Sequence, residues 1–406
     1  MPKDQKKSPA ISASDEKPRL DSPAPSRHAE IPLHRPCYDE AEANAARSVV
    51  ESGMVQGGGL WLQKTEELIQ ERLETPYARL VTSCTHALES AAMALELSAR
   101  NEVVVPTFGF PTSASAFIRQ GCKVRFADSG FEDPEPGLQS VLNLVTAKTK
   151  AIVVVHYAGD PFDVDQLRVA LGDKTIAIIE DAAQAFDSRL RGRACGTLGD
   201  LGCISFHGTK NLTCGEGGLI ISSNAEIDRS LSHIREMGTN RREFMNGEID
   251  RYSWCSIGSS FLPSEISSAI LCAQLAKADH ILARRRILHA RYLGLLAEAA
   301  ERYDLLLPRE RVDAQNNGHI FWVAFPTESN RQKVQTRLSA AGIEASTHFH
   351  PLDQSPYGRK LCGGPSHQAL PNAKRFHRTL LRLPIYPDLT ESDQDRVVDE
   401  VLKALG

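Results

Sequence analysis

The sequence has no long apolar run and no excess of basic residues. None of its apolar stretches approaches the ~20 residues that a helix needs to cross a bilayer, and its N-terminus lacks the apolar core of a signal peptide. Lys and Arg total 47 against 51 Asp and Glu, which is not the balance of a chain that binds nucleic acid. We therefore expect neither a membrane nor a nucleic acid as partner.

The nine cysteines are scattered and show no paired short spacing. Such spacing is the usual sequence sign of a disulfide framework or a zinc site, so we expect neither, and no metal. A reducing compartment suits this pattern, and we expect a cytoplasmic protein.

The composition, 41% hydrophobic and 24% charged, is that of a globular chain long enough for two domains. Residues 1–30 are rich in Ser, Pro, Ala, Lys and Asp and have few large apolar side chains, which predicts a disordered tail. We expect a large α/β domain at residues 31–275 and a small α+β domain at residues 276–406.

Short apolar runs alternate with helical patterns through the larger part, as in an α/β domain built on a mostly parallel sheet. The predicted strands are residues 102–105, 123–127, 151–156, 175–180, 203–206 and 218–222, and the first helices are residues 87–97 and 112–120. A helical stretch at 264–300 then leads to a strand at 319–325, a helix at 331–341, a strand at 343–348 and a helix at 393–405.

Two charged residues follow predicted strands, where open α/β sheets bind ligands. Asp181 comes directly after one strand; it could end a turn, bind a metal or pair with a cationic ring nitrogen. Lys210 lies in a short loop before Gly215-Glu216-Gly217-Gly218. Most lysines are solvated surface charges, but a desolvated one could react with a carbonyl group.

Two further segments suit a planar phosphorylated ligand. Thr82-Ser83-Cys84-Thr85-His86 leads into a helix, where backbone N–H groups attract phosphate, although an ordinary N-cap is the simpler interpretation. Phe108 and Phe110 follow the next strand and could stack on a ring or pack in the core. Together these features supply a phosphate seat, a stacking ring, an acid and an amine, which are the needs of pyridoxal 5'-phosphate.

From about residue 31 onward the sequence resembles the DegT-type sugar aminotransferases, which have the type I fold of the pyridoxal-phosphate-dependent aminotransferases. Three segments in order carry the resemblance: Glu180-Asp181-Ala182-Ala183-Gln184, Ser205-Phe206-His207-Gly208-Thr209-Lys210-Asn211 and Gly215-Glu216-Gly217-Gly218. Thr82–Glu89 adds to it. The tail before residue 31 has no counterpart in the family.

The resemblance implies a role for each matching residue. Lys210 would bind the cofactor's aldehyde and Asp181 its ring nitrogen. The remaining expected contacts are Gln184 beside the ring hydroxyl, Phe110 on the ring face, Ser205, Cys84 and Thr85 at the phosphate, Asn240 at the phosphate of the neighbouring subunit, and His348 at the substrate. A homodimer with shared active sites follows from the role of Asn240.

Residues 235–241 and 252–260 resemble the family members that aminate C4 of dTDP-4-keto-6-deoxyglucose, so we expect that nucleotide-linked sugar as acceptor and L-glutamate as donor. Another nucleotide keto-sugar, with an equatorial 4-amino, 3-amino or GDP-linked product, stays open, as does a non-catalytic regulator. A sugar 3-dehydratase of this family would have histidine in place of Lys210. Asp353 stands where the family often has histidine, which leaves the sugar specificity of that segment open.

Overall fold

The computed structural model describes residues 30–362 and 370–406. Apart from Glu30, the predicted disordered tail at residues 1–30 lies outside the described residues. The strands are β1 (Tyr77–Val81), β2 (Glu102–Pro106), β3 (Lys123–Ala127), β4 (Thr149–Val155), β5 (Ala177–Asp181), β6 (Arg189–Leu190), β7 (Arg193–Ala194), β8 (Leu201–Ser205), β9 (Gly218–Ser222), β10 (Ala314–Gln315), β11 (Phe321–Ala324) and β12 (Leu380–Leu383).

The α-helices pack on both faces of the large sheet and around the C-terminal strands. They are α1 (Glu40–Ser52), α2 (Leu60–Leu73), α3 (Cys84–Ala94), α4 (Thr112–Ile118), α5 (Leu138–Leu142), α6 (Val164–Leu171), α7 (Ala225–Arg235), α8 (Arg241–Met245), α9 (Glu265–Ala276), α10 (Ala278–Tyr303), α11 (Glu328–Ala340), α12 (Pro356–Leu361), α13 (Pro371–Thr379) and α14 (Glu391–Leu405). Within residues 30–362 and 370–406, none of the helices has both the length and the apolar character needed to cross a membrane.

A seven-stranded sheet in the order β1-β9-β8-β5-β4-β2-β3 organises the N-terminal part. In this sheet β9 runs antiparallel to both its neighbours, and the other pairs from β8 to β3 are parallel. The strands are nearly all apolar because helices cover both faces. Val104 packs into the core on one face and Val103 into the core on the other, as the two-residue period of a strand requires. The predicted α/β class with a mostly parallel sheet is confirmed.

The C-terminal part has its own core around the antiparallel pair β11 and β12. The long helix α10 contributes Leu288 and Tyr292, and α14 contributes Val397 and Val401. The predicted division of the chain at residue 275/276 falls beside the junction of α9 and α10, and it stays a prediction.

One predicted strand is wrong, and several boundaries differ. Residues 343–348 form only isolated bridges, from Ile343 to Ile31 and from Ser346 to Arg382. The ladder stops there because the chain turns to bring His348 to the Tyr157 hydroxyl. The predicted helix at 264–300 is two helices, and the one predicted at 87–97 begins at Cys84.

Candidate active site

Asp181 is the last residue of β5 and is 6% exposed. Its carboxylate accepts hydrogen bonds from the Ser113 hydroxyl at Oδ2 and from the Ala183 N–H at Oδ1. The preceding Glu180 points to the opposite face of the sheet, where His156 and three backbone N–H groups of the following loop engage it. Of the two adjacent carboxylates, Glu180 is therefore structural and Asp181 faces the end of the sheet.

Lys210 lies in the loop between β8 and β9 and is half-buried. Burial lowers the pKa of its ammonium group, and the positive charge of Arg382 lowers this pKa further. The charges of Cys84 and Asp181 raise the pKa of Lys210, and Asp181 in turn raises that of the Cys84 thiol. The structure thus brings together Lys210 from the loop after β8, Asp181 from the end of β5 and Cys84 from the start of α3.

The N-terminus of α3 lies against the β8–β9 pair. Ser83 is the N-cap and binds the N–H groups of His86 and Ala87, which leaves those of Cys84 and Thr85 at the open end of the helix. Ser205 pairs with Gly218 in the ladder, and a Cβ on Gly218 would collide with Ser83 and Cys84. The absent side chain allows this close approach, so Ser205 and the start of α3 form one polar seat suited to an anion.

Gln184 and Phe110 lie at different depths. The Gln184 side chain accepts a hydrogen bond from the Ala158 N–H at 2.6 Å, and its backbone carbonyl accepts one from the Asn317 amide at 3.0 Å. Phe110 is 56% exposed and its ring centroid lies 6.3 Å from that of Phe349. Phe108 is buried in the core, so Phe110 is the ring with a free face.

His348 comes to the site from the C-terminal part of the chain. Its Nδ1 lies 2.9 Å from the Tyr157 hydroxyl, and its ring stacks on Phe349. Burial, Arg382 and Lys210, in that order, lower the pKa of His348 well below its ordinary value. The expected substrate residue is therefore a neutral imidazole within electrostatic reach of Lys210.

Sequence reasoning missed three residues here: Tyr157, His319 and Arg382. His319 Nδ1 lies 2.9 Å from the Asn211 side chain, and burial followed by the charge of Lys210 lowers its pKa well below its ordinary value. The sequence carried a usable signal for Arg382, which is a lone charge within the otherwise apolar strand β12.

Asp353 stands where the family often has histidine, but its side chain does not face a substrate. It is fully buried, and its carboxylate accepts hydrogen bonds from the Thr107 hydroxyl and from Gln354. The Thr107 hydroxyl in turn accepts one from the Asp353 N–H at 3.2 Å. Asp353 therefore fixes its segment to the end of β2, and its departure from histidine does not present a different group to a substrate.

Asn240 bonds within its own surface segment and not with the groups around Lys210. The Ser253 N–H donates to the side-chain oxygen of Asn240 at 2.7 Å. The Asn240 N–H donates in turn to the backbone carbonyl of Ser253 at 3.3 Å. Gly238 makes the pairing possible, since its φ is +76° and a Cβ there would collide with the Ser256 carbonyl.

The donor set fits pyridoxal phosphate. Lys210 is a half-buried amine suited to an aldehyde, and Asp181 is a carboxylate at the same end of the sheet. The hydroxyl and N–H groups at the start of α3 suit a phosphate. In the described ranges 30–362 and 370–406, no group of three or more His, Cys, Asp or Glu could hold a metal ion.

Comparison with known proteins gives concordant results. Residues 36–402 match the model of the DegT/DnrJ/EryC1/StrS aminotransferase family. The chain is 30% identical over 386 residues to the uncharacterized protein MJ1066 of Methanocaldococcus jannaschii, covering 94% of this chain and 99% of that one. It is 28% identical over 365 residues to the GDP-perosamine synthase of Escherichia coli O157:H7, covering 89% and 94%. The crystal structure of the aminotransferase TlmJ from Streptoalloteichus hindustanus superposes with a TM-score of 0.84 at 27% identity, covering 92% and 98%.

Proposed function

This chain belongs to the DegT/DnrJ/EryC1/StrS aminotransferase family, whose members depend on pyridoxal phosphate, and we propose that it moves the amino group of L-glutamate to a nucleotide-linked 4-keto-6-deoxy sugar. The sugar we propose is dTDP-4-keto-6-deoxy-D-glucose, which gives dTDP-4-amino-4,6-dideoxy-D-galactose and 2-oxoglutarate. The observation that carries the proposal is the convergence of Lys210, Asp181 and Cys84 beside the anion seat at α3.

Pyridoxal phosphate supplies an aldehyde that takes up an amine and a ring that accepts electrons from the adjacent carbon. Lys210 would hold the aldehyde, Asp181 the ring nitrogen, Gln184 the ring hydroxyl and Phe110 the ring face. Ser205, Cys84 and Thr85 would hold the phosphate.

Lys210 is also the proton carrier that the reaction needs. As a free amine, its Nζ would take the proton from the α-carbon of glutamate. Burial supports this role, because it lowers the pKa of Lys210 and so increases the fraction of neutral amine. Asp181 would pair with the ring nitrogen, and the Ser113 hydroxyl and the Ala183 N–H, which both donate to its carboxylate, hold the orientation of that side chain.

We further propose a homodimer in which Asn240 completes the partner's phosphate seat. The segment that carries Asn240 exposes several large apolar side chains: Met237 is 54% exposed, Tyr252 48%, Trp254 81% and Ile257 68%. Apolar side chains exposed together favour a protein partner, and a second copy of the chain would cover them.

A GDP-linked sugar is the second candidate, and the similarity to a GDP-perosamine synthase favours it. The two candidates differ in the nucleotide that the sugar carries. The test supplies dTDP- and GDP-linked 4-keto-6-deoxy sugars and a dTDP-linked 3-keto isomer, each with glutamate, and measures the ring proton couplings of the products by NMR.

We expect turnover of the dTDP-linked 4-keto sugar with a small coupling between H3 and H4, which marks an axial amine. A large coupling, or turnover of the GDP-linked or 3-keto sugar alone, would contradict the proposed substrate and leave the reaction class intact. Absence of turnover with all three would contradict both candidates.

A further inference from the structure

Arg382 lies in β12 and points toward the active site. Successive side chains of a strand alternate between its two faces. Leu381 and Leu383 belong to the C-terminal core, whereas Leu380 packs in the cluster that holds Tyr157. Arg382 therefore shares the face of Leu380 and is directed to Tyr157, where His348 is bound.

The guanidinium group of Arg382 has no protein acceptor within residues 30–362 and 370–406. Its Nε is buried without a hydrogen-bond partner, and no carboxylate of these residues lies within ion-pair distance. Glu344, whose charge acts on Arg382, accepts a hydrogen bond from the Leu33 N–H at 3.0 Å. Arg285 differs, because its Nη1 donates to the carbonyl oxygens of Gly318 and Ile385 at 3.2 Å each.

Arg382 is half-buried, and a cation whose Nε is buried without a counter-charge is costly, so an anionic group that arrives with a ligand would stabilise it. Arginine binds carboxylates in a bidentate geometry. In glutamate the α-carboxylate is bonded to the carbon that must react at Lys210. In the nucleotide sugar the diphosphate is attached at C1, across the sugar ring from C4. The charge of Arg382 acts on both Lys210 and His348. This position suits the α-carboxylate of glutamate better than the diphosphate of the nucleotide sugar.

We propose that Arg382 binds the α-carboxylate of the amino donor and so determines the donor class, an α-amino acid. The proposal rests on the proposed function, since it concerns the glutamate half of that reaction. Arg382 would set the orientation of the donor's α-carbon toward Lys210, and release of 2-oxoglutarate would free it for the next cycle.

The test follows the two half-reactions separately in the holoenzyme by absorbance. Arg382→Gln should raise the apparent Kd for glutamate by roughly 100-fold, as expected when one partner of a buried charge pair is removed. Its half-reaction with the keto sugar should stay within about threefold of wild type. Maleate, a dicarboxylate that cannot react, should bind wild type and lose affinity in the variant.

Two controls accompany this variant. Arg382→Lys keeps the charge without the bidentate geometry and should give an intermediate Kd for glutamate, which shows that the effect does not come from misfolding. Arg378→Gln removes a half-exposed arginine of α13 and should leave both half-reactions unchanged.

An unchanged Kd for glutamate in Arg382→Gln would overturn the assignment, and so would an equal loss in both half-reactions. A wild-type enzyme that does not react with glutamate would overturn the proposed donor and this assignment with it. If wild type and Arg382→Gln both react normally with glutamate, the role of Arg382 would be overturned while glutamate would stand as the donor.

Discussion

Replacement of Asp181 by Asn removes a charge and keeps the shape of the side chain. The carboxylate is 6% exposed and is held by the Ser113 hydroxyl and the Ala183 N–H, so its field acts through protein more than through water. An opposite charge at about 4 Å contributes roughly 4 kcal/mol at an effective dielectric of 20. At 1.36 kcal/mol per unit, this holds the pKa of a ring nitrogen up by about three units.

We therefore expect Asp181→Asn to slow the glutamate half-reaction by about 10³-fold while the cofactor still binds. The assay is single-turnover absorbance at saturating glutamate, with bound cofactor measured in the same sample. Ser113→Ala is the matched control: it keeps the charge and removes one donor. It should cost about 10- to 150-fold, less than Asp181→Asn, because a hydrogen bond to a charged group is worth about 1.5–3 kcal/mol. An Asp181→Asn rate within tenfold of wild type would refute the assignment of Asp181 to the ring nitrogen.

Two further predictions concern the assembly and the stability of the chain. Lys210→Ala and Asn240→Ala, each severely impaired alone, should recover activity when mixed, because one site of each heterodimer is then intact; no recovery after confirmed subunit exchange would contradict a shared site. Burial and the charge of Asp133 raise the pKa of Asp160 to about 7, so the folded state loses stability as pH rises from about 4 to 7. Thermal unfolding should therefore show Asp160→Asn several degrees more stable than wild type at pH 8 and equal to it near pH 4, whereas an equal or lower Tm at pH 8 would contradict this reasoning.

The apolar strands of the large sheet could be predicted from the sequence because burial on both faces leaves few polar residues in them. The bounds of β3 and β9 are those predicted, and β5 and β8 begin within two residues of the prediction. The C-terminal part was harder. The sequence pattern predicted a strand at 343–348, but β12 is the strand that pairs with β11, and a charge within β12 obscures its apolar pattern.

Some of the residues around Lys210 could likewise be predicted from the sequence, and others could not. Asp181 and Ser205 end the parallel strands β5 and β8, and Cys84 comes shortly after β1 of the same sheet, so the sheet topology brings them together. His319 and Arg382 come from the C-terminal part of the chain. Local sequence patterns do not predict how that part packs against the sheet. Their place near Lys210 emerges only from the folded chain.

The most direct test of the account is to find the lysine that holds the cofactor. The holoenzyme is reduced with borohydride and digested, and its peptides are mapped by mass spectrometry, with Lys210→Ala treated in parallel. We predict a reduced phosphopyridoxyl group on Lys210, at about one per chain, and none on the variant. A modified lysine elsewhere in the wild type, or an equal modification of Lys210→Ala, would contradict the assignment of Lys210.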